Sequence, residues 1–162
     1  MSSKKLYFII PILFSFSHAN AEESKKHILV DLKNFKFFAY DEEGELIREG
    51  LASGGRRFCP DIKRKCKTPS GSFRVLAKKG KFYKSPLYPL NCGNPKEGKV
   101  PCAPMPYSIK FLASGESIHG SPNDNWNNPK QISHGCIHAT NEDAKWINEW
   151  VNIGDKVKIL KY

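Results

Sequence analysis

The sequence lacks a hydrophobic run long enough to span a membrane. Its longest apolar run, Leu6–Phe16, has 11 residues, whereas a transmembrane helix needs roughly 20. Two lysines precede this run, and Ala19-Asn20-Ala21 follows it with the small-x-small pattern that signal peptidases cleave. We predict a signal peptide over residues 1–21 and a mature chain that is exported, to the periplasm or the medium, without stable membrane insertion. The alternative, an uncleaved anchor, is disfavoured by Pro11 and by the cleavage pattern.

Acidic residues are scarce relative to basic ones. The chain has 16 Asp and Glu against 26 Lys and Arg, which gives a formal net charge of +10. Such a surplus favours an anionic partner, either a nucleic acid or an anionic polymer of the cell envelope. The basic residues are scattered apart from short clusters such as Lys63-Arg64-Lys65, which argues against nucleic-acid binding. We therefore predict a solvated basic surface and no nucleic-acid partner.

Internal repeats and low-complexity segments are also lacking. The chain has the length of one ordinary domain, which we predict over residues 22–162. Hydrophobic residues make up 40% and aromatic residues 12% of the sequence. This composition can form a core, which excludes a wholly disordered chain. The 12 glycines and 11 prolines favour a turn-rich, mainly β fold over a helical bundle.

One amphipathic helix is predicted at about residues 141–151, with Thr140 or Asn141 as its N-cap. We expect Trp146 and Trp150 on this helix to pack against the core rather than to form a ligand platform. A long loop, roughly Tyr83 to Pro104, is a candidate lid because long loops in compact domains tend to be functional. The predicted strands cover residues 27–31, 36–40, 46–53, 72–77, 107–112, 116–119 and 155–160.

The five cysteines divide into four in loop-like sequence and one, Cys136, that stands apart. Four cysteines allow three pairings, and proximity along the chain favours Cys59–Cys66 with Cys92–Cys102. In an oxidising compartment each such bridge would stabilise the domain by about 2.5 kcal/mol in the loop-entropy model. Cys136 is then a free reactive thiol, an intermolecular bridge or an inert buried residue.

Two histidines, His119 and His134, lie near Cys136 in the sequence. A cysteine nucleophile needs a neighbour that lowers its pKa or removes its proton, and an imidazole supplies that base. Gly135 leaves the backbone before the thiol open, so that main-chain N–H groups could form an oxyanion hole. Acyl transfer by a Cys–His pair is therefore chemically reasonable, although a cysteine with a nearby histidine is by itself a weak signal.

Four ordered motifs resemble the L,D-transpeptidase (YkuD-like) family. Ser133-His134-Gly135-Cys136-Ile137 resembles the family's S-H-G-C-(Ile/Val) signature, and Ile118-His119-Gly120 is similar to its I-H-G element. Upstream, Thr68–Phe73 resembles a T-P-x-G-x-F turn and Met105-Pro106-Tyr107 resembles an M-P-Y segment. The helix that begins at Asn141 fits the family's ending. Because the matches run in order over nearly the whole predicted mature chain, the signal is strong.

The resemblance implies a β-sandwich and cysteine-dependent acyl transfer on the stem peptides of peptidoglycan. A thioester forms with loss of the terminal D-alanine, and an amine acceptor, such as a second stem or an envelope lipoprotein, resolves it. Water as the acceptor would make the enzyme an L,D-carboxypeptidase. The resemblance implies no metal and no organic cofactor.

The resemblance also assigns roles. Cys136 would be the nucleophile, His119 the general base, and the Gly120 carbonyl would orient the imidazole. Tyr107, in the M-P-Y segment, is a candidate for substrate binding. The residues implied to form the oxyanion hole or to shape its loop are Ser133, His134, Gly135 and Cys136.

One position departs from the family, which usually has Arg two residues after the cysteine. Here that residue is His138, which is charged only under mildly acidic conditions, whereas Arg is always charged. Either the binding of the substrate carboxylate differs from that in the family, or another cation takes the place of the arginine. The candidates for a substitute are Arg56, Arg57 and Lys110.

Two other readings of these residues stay open. On a strand, His134, Cys136 and His138 would share one face, and with His119 they could form a Cys-His₃ zinc site. The other reading is a non-catalytic peptidoglycan-binding module in which Cys136 is unreactive.

Overall fold

The computed structural model describes residues 26–162, so the predicted signal peptide lies outside the described residues. Within residues 26–162, no helix combines the length and the apolar character that crossing a bilayer requires. A short 3-10 helix spans Pro95–Glu97, and the α-helix, α1, spans Asn141–Trp150. The strands are β1 (His27–Asp31), β2 (Lys36–Tyr40), β3 (Leu46–Ser53), β4 (Gly71–Arg74), β5 (Ala77–Lys78), β6 (Ile109–Lys110), β7 (Ser117–Gly120), β8 (Ile137–Ala139) and β9 (Lys156–Ile159).

The first three strands form an antiparallel meander, as the sequence predicts. In β1, Ile28 and Val30 are buried and their neighbours are half-buried, because successive side chains point to opposite faces of a strand. The turn after β1 is closed by the Asp31 carboxylate, which accepts hydrogen bonds from the main-chain N–H groups of Lys33 (3.1 Å) and Asn34 (3.2 Å). The local sequence thus determines this unit.

The strands of the described chain form one sheet, in the order β4-β9-β1-β2-β3-β8-β7-β6-β5. The β1–β9 and β7–β8 pairs are parallel, and the other neighbours are antiparallel. β3 belongs to both halves of the sheet: residues 46–51 pair with β2, whereas Ala52 and Ser53 pair with β8. The long third strand therefore connects the two layers.

The sheet curls on itself because its two edge strands are joined by only two residues, Val75 and Leu76. In a flat sheet of nine strands the edges would lie about 38 Å apart, whereas three peptide units span at most about 11 Å. The Val75 N–H donates to the Asp155 carbonyl beside one edge (2.9 Å), and the Leu76 N–H donates to the Lys110 carbonyl at the other (2.7 Å). One cluster of buried apolar side chains from both halves fills the interior. The predicted mainly β, sandwich-like fold with one helix is confirmed.

Two predicted strands need correction, and one observed strand was not predicted. The strand predicted over residues 72–77 is interrupted, because Val75 and Leu76 bond to opposite edges of the sheet. The strand predicted over residues 107–112 shortens to β6, and Tyr107 has a φ of +56°, outside the range of a strand. No strand is predicted at β8, because three residues are too few to show a period.

Helix α1 lies where the sequence predicts it. The Thr140 hydroxyl accepts a hydrogen bond from the Asp143 N–H (3.0 Å), which makes Thr140 the N-cap. Ala144 and Ile147 are fully buried. The two tryptophans stack on each other, with ring centroids 5.2 Å apart, and pack against the core, which confirms their predicted role.

The two predicted disulfides, Cys59–Cys66 and Cys92–Cys102, are both present. The second bridge cross-links the long loop, whose ends are also held together by main-chain hydrogen bonds. The Ser85 N–H donates to the Ala103 carbonyl (2.8 Å), and the Met105 N–H donates to the Tyr83 carbonyl (2.9 Å). The loop is thus a closed, cross-linked excursion from the sheet.

Candidate active site

Two adjacent parallel strands place the predicted catalytic residues side by side. In the β7–β8 register, Ile118 lies opposite Ile137 and His119 lies opposite His138. The two isoleucines are buried in the core, 2% and 1% exposed. Because neighbours along a strand point to opposite faces, both histidines are turned away from that core. Cys136 immediately precedes β8, and its thiol lies against the start of β7, where the main chain of Ser117 hydrogen-bonds to it, two residues before His119.

Cys136 is the free cysteine of the chain and is half-buried. Burial raises the pKa of its thiol to about 11. A main-chain hydrogen bond from Ser117 favours the thiolate, and the nearby Glu116 carboxylate opposes it. At pH 7 the Cys136 thiol is therefore protonated in the absence of substrate.

His119 is buried, with 5% of its surface exposed. Its Nδ1 lies 2.9 Å from the Gly120 carbonyl oxygen. Since a carbonyl only accepts, Nδ1 carries the proton and Nε2 is left as the acceptor. Burial, together with the charge of His138, lowers the pKa of His119 to about 4, although the bond to Gly120 raises it. The imidazole is therefore neutral at pH 7, in the form that can accept a proton.

The turn before Cys136 is held from inside by Ser133. The Ser133 hydroxyl accepts a hydrogen bond from the Gly135 N–H (3.1 Å) and donates to the Cys136 carbonyl. Gly135 has a φ of +124°, which an L side chain rarely adopts, so glycine is required here. Ser133 also forms an isolated β-bridge with Gly55. Its N–H donates to the Gly54 carbonyl, and its carbonyl accepts from the Arg56 N–H. The Gly135 N–H is thus engaged within the turn.

His134 points away from the other histidines. Its Nε2 lies 2.7 Å from an Asp61 carboxylate oxygen, to which the Tyr88 hydroxyl also donates (3.2 Å). The Tyr88 and His134 rings lie 4.0 Å apart between centroids. The bond with His134 holds the pKa of the Asp61 carboxyl below its ordinary value. Because Asp61 lies between Cys59 and Cys66 and Tyr88 lies in the long loop, both disulfide-bonded loops meet at His134.

This orientation separates the ligands of the zinc alternative. His134 binds Asp61, whereas His138 binds Asp124. Among residues 26–162, the group of three potential ligand side chains that does come together is Cys59, Asp61 and His134. The sulfur of Cys59 is already used in a disulfide, so it cannot bind zinc as a thiolate.

His138 is hydrogen-bonded to an acidic residue that was not predicted from the sequence. Its Nδ1 lies 2.8 Å from Oδ2 of Asp124, which also accepts from the Ser53 hydroxyl (3.3 Å). The other carboxylate oxygen, Oδ1, accepts from the Ser121 hydroxyl (2.6 Å). Burial opposes ionisation of Asp124, but the bonds from His138 and the serines outweigh it and hold the carboxyl pKa below its ordinary value. A signal was present, because Asp124 is the only acidic residue between Glu116 and Glu142.

The His138 ring lies beside the His119 ring, with centroids 4.8 Å apart. Two positive charges at this separation would repel each other by about 3.5 kcal/mol at an effective dielectric constant of about 20. Protonation of His138 disfavours protonation of His119.

The remaining predicted substrate-binding residues lie elsewhere. Tyr107 lines a cavity of about 390 Å³ together with Lys81 and Phe82, which precede the long loop, and with residues of α1, and neither Cys136 nor His119 lines it. The Arg56 guanidinium donates to the Ile132 carbonyl (2.9 Å), so it is partly occupied within the fold. Lys110 belongs to β6, where its main chain pairs with β5 and β7.

Comparison with known proteins agrees with these observations. The family model of the L,D-transpeptidase catalytic domain (YkuD) matches residues 25–159. L,D-transpeptidase 1 of Mycobacterium tuberculosis is 28% identical over 130 residues, which are 76% of this chain and 46% of that protein. The probable L,D-transpeptidase YbiS of Escherichia coli is 35% identical over 71 residues, 42% of this chain and 23% of that one. The chain thus spans less than half the length of these curated relatives.

Solved structures show the same fold. An L,D-transpeptidase from Mycobacterium smegmatis superposes with a TM-score of 0.65 at 22% identity, covering 84% of this chain and 58% of that one. One from Xylanimonas cellulosilytica gives a TM-score of 0.64 at 23% identity, covering 86% and 62%. With a family model that matches nearly all of the described residues and a fold shared with these structures, the chain belongs to the L,D-transpeptidase catalytic domain family.

Proposed function

We propose that this chain is a cysteine-dependent acyltransferase that acts on the stem peptides of peptidoglycan. The observation that supports the proposal is the pairing of β7 with β8: the neutral imidazole of His119 lies on β7, and the free thiol of Cys136, immediately before β8, is bonded by the main chain of Ser117 at the start of β7. A nucleophile beside a base that is itself oriented by a third group is the arrangement of covalent acyl transfer. Here the third group is the Gly120 carbonyl.

The proposed reaction proceeds in two transfers. The Cys136 sulfur attacks the carbonyl before the terminal D-alanine, and Nε2 of His119 takes the thiol proton. The tetrahedral intermediate then expels the D-alanine amine, which receives that proton from His119, and a thioester remains. An acceptor amine attacks the thioester carbonyl and gives its proton to His119. The carbon–sulfur bond then breaks, which leaves the new amide, and the departing Cys136 thiolate takes the proton from the imidazolium.

The resting pair is proposed to be thiol and imidazole, not thiolate and imidazolium. The pKa of Cys136 near 11 and that of His119 near 4 both favour the uncharged forms at pH 7. Proton transfer to His119 then accompanies attack on the bound donor instead of preceding it. Of the predicted oxyanion donors, the Cys136 N–H is the better candidate, since Ser133 already engages the Gly135 N–H.

The loop from Tyr83 to Pro104 is proposed to act as a lid over this site. Its Tyr88 ring rests on His134, two residues before the nucleophile, and its hydroxyl binds Asp61. We further propose that the chain is exported after cleavage at Ala21 and meets its donor in the periplasm, where both disulfides can form. The acceptor is a second stem peptide, an envelope lipoprotein or water.

Intact-mass spectrometry of the mature protein with a disaccharide-tetrapeptide donor tests the reaction. The expected result is an acyl adduct and released D-alanine with the wild type and neither product with Cys136→Ala. A cross-linked product identifies a transpeptidase, whereas a tripeptide identifies an L,D-carboxypeptidase. Imipenem serves as a second probe, because one solved L,D-transpeptidase structure is a complex with it. A wild-type protein that stays unmodified by both reagents would instead favour the non-catalytic binding module.

A further inference from the structure

The surroundings of the Asp124 side chain stabilise its ionised form. Its side chain is 10% exposed and accepts hydrogen bonds from three groups, contributed by the end of β3, by its own loop and by β8. Two of the donors, Ser53 and Ser121, are uncharged, and the third is His138. An ionised carboxylate in such a site stabilises a positive charge on the imidazole that it contacts. Of the three donors, His138 is therefore the group on which Asp124 can stabilise a positive charge.

A positive charge on His138 would lie next to the candidate general base, His119. His138 has a side chain 16% exposed, so water screens it little, and its ring lies 4.8 Å from that of His119 between centroids. Asp124 itself contacts His138 and not His119. The arrangement is thus a series of carboxylate, imidazole and imidazole, in which a positive charge on His138 lowers the pKa of His119 and the negative charge of Asp124 raises it by a smaller amount.

Few other titratable groups face this pair. Cys136 lies immediately before β8, and Glu116, which precedes β7, acts on the Cys136 thiol. Helix α1 packs against β7, and the carboxylates of its first turn, Glu142 and Asp143, are paired with Arg48.

We propose that Asp124 is a positioning residue of the acyl-transfer reaction, which holds His138 in its charged form and thereby keeps His119 free of a proton under mildly acidic conditions. This inference rests on the proposed function, because His119 must act as the base. Once His119 has taken the thiol proton, the same neighbouring charge makes it a stronger acid toward the leaving amine. A histidine with its own carboxylate thus replaces a permanent cation at this position.

The test compares the acid limb of the pH profile among variants. Acylation by the tetrapeptide donor is followed by intact mass from pH 3.5 to 8, and the His119 imidazole is titrated in parallel by NMR, which needs no activity. In His138→Gln, both midpoints should move up by about one pH unit or more, because the neighbouring positive charge is lost. In Asp124→Asn they should also move up, but by less, because the carboxylate's own effect of raising the pKa of His119 is lost as well. In His138→Arg, the midpoints should stay at or below those of the wild type.

The decisive variant combines Asp124→Asn with His138→Arg. A permanent guanidinium needs no carboxylate to stay charged, so the double variant should regain the wild-type acid midpoint. Glu49→Gln, an exposed carboxylate paired with Lys36, is the control for loss of one negative charge and should change nothing.

Two results would overturn the inference. One is a His119 titration that does not move in His138→Gln. The other is a defect of Asp124→Asn that Arg at position 138 does not repair, which would make Asp124 a structural anchor of its loop. If the wild type forms no adduct at all, the proposed function fails, while the NMR titration still decides whether the three side chains are coupled.

Discussion

The charge state of the resting thiol can be tested directly by alkylation of Cys136. Burial raises its pKa to about 11, and the neutral His119 beside it provides no cation to oppose this effect. Alkylation by iodoacetamide requires the thiolate. The rate should therefore rise about tenfold per pH unit from pH 7 to pH 10, with no plateau in that range.

The magnitude follows from the fraction of thiolate. At pH 7 a thiol of pKa about 11 is ionised to about one part in 10,000, whereas an ordinary thiol of pKa about 8.5 is ionised to about 3%. The ratio is about 300. The more basic thiolate is intrinsically more nucleophilic by about tenfold, given a Brønsted coefficient of about 0.4–0.5. Native Cys136 should thus react about 20–30 times more slowly than an unperturbed cysteine at pH 7, before any loss from limited access.

The assay is intact-mass measurement of the alkylated fraction over time, and the same chain in urea with both disulfides intact is the matched reference. The unfolded chain should show a midpoint near pH 8.5. His119→Gln should leave the alkylation profile nearly unchanged but lower donor acylation by about 10²–10⁴-fold, because only the reaction with the donor needs the base. A plateau in native alkylation with a midpoint below pH 8 would refute the neutral resting pair and indicate a preformed thiolate–imidazolium pair.

Three further predictions concern the fold around the site. Replacing Cys92 and Cys102 together by Ser opens a loop with a sequence separation of 10 residues. The loop-entropy model predicts that the free energy of unfolding, measured by urea denaturation without reductant, falls by about 2.7 kcal/mol. An unchanged free energy of unfolding would contradict that model here. Thr140→Ala removes the N-cap of α1 and should cost about 1 kcal/mol in the same assay, whereas Thr140→Ser should cost less. Tyr88→Phe removes the bond to Asp61 but keeps the ring and should speed amide exchange in residues 83–104; equal exchange would show that the hydroxyl does not anchor the loop.

The sequence was sufficient wherever the determining interactions are local. The meander, the helix with its threonine cap and the two disulfides each involve residues close in the chain, and each is found where it was predicted. Local propensity, period and short loop closure are properties that one sequence displays. The free status of Cys136 followed by elimination and is also observed.

The boundaries that were predicted wrongly depend on contacts between distant segments. The segment predicted as one strand over residues 72–77 alternates like a strand, but Val75 bonds to Asp155 and Leu76 bonds to Lys110. No local pattern indicates that one residue belongs to each edge of a curled sheet. The zinc alternative, which grouped the alternating histidines, leaves out the position of His134 for the same reason, since its partner, Asp61, lies 73 positions away.

By itself, the sequence determined the fold class, favoured the disulfide pairing that is observed, and contained the motifs that indicate a cysteine, a histidine and a glycine as the chemical site. Only the tertiary structure decided what surrounds those groups. Burial sets the pKa of Cys136 and of His119, and the curled sheet brings β3, the loop of Asp124 and β8 together around His138. Desolvation and charge pairing are properties of spatial neighbours, and spatial neighbours that lie far apart in the chain leave no periodic or short-range trace in a single sequence.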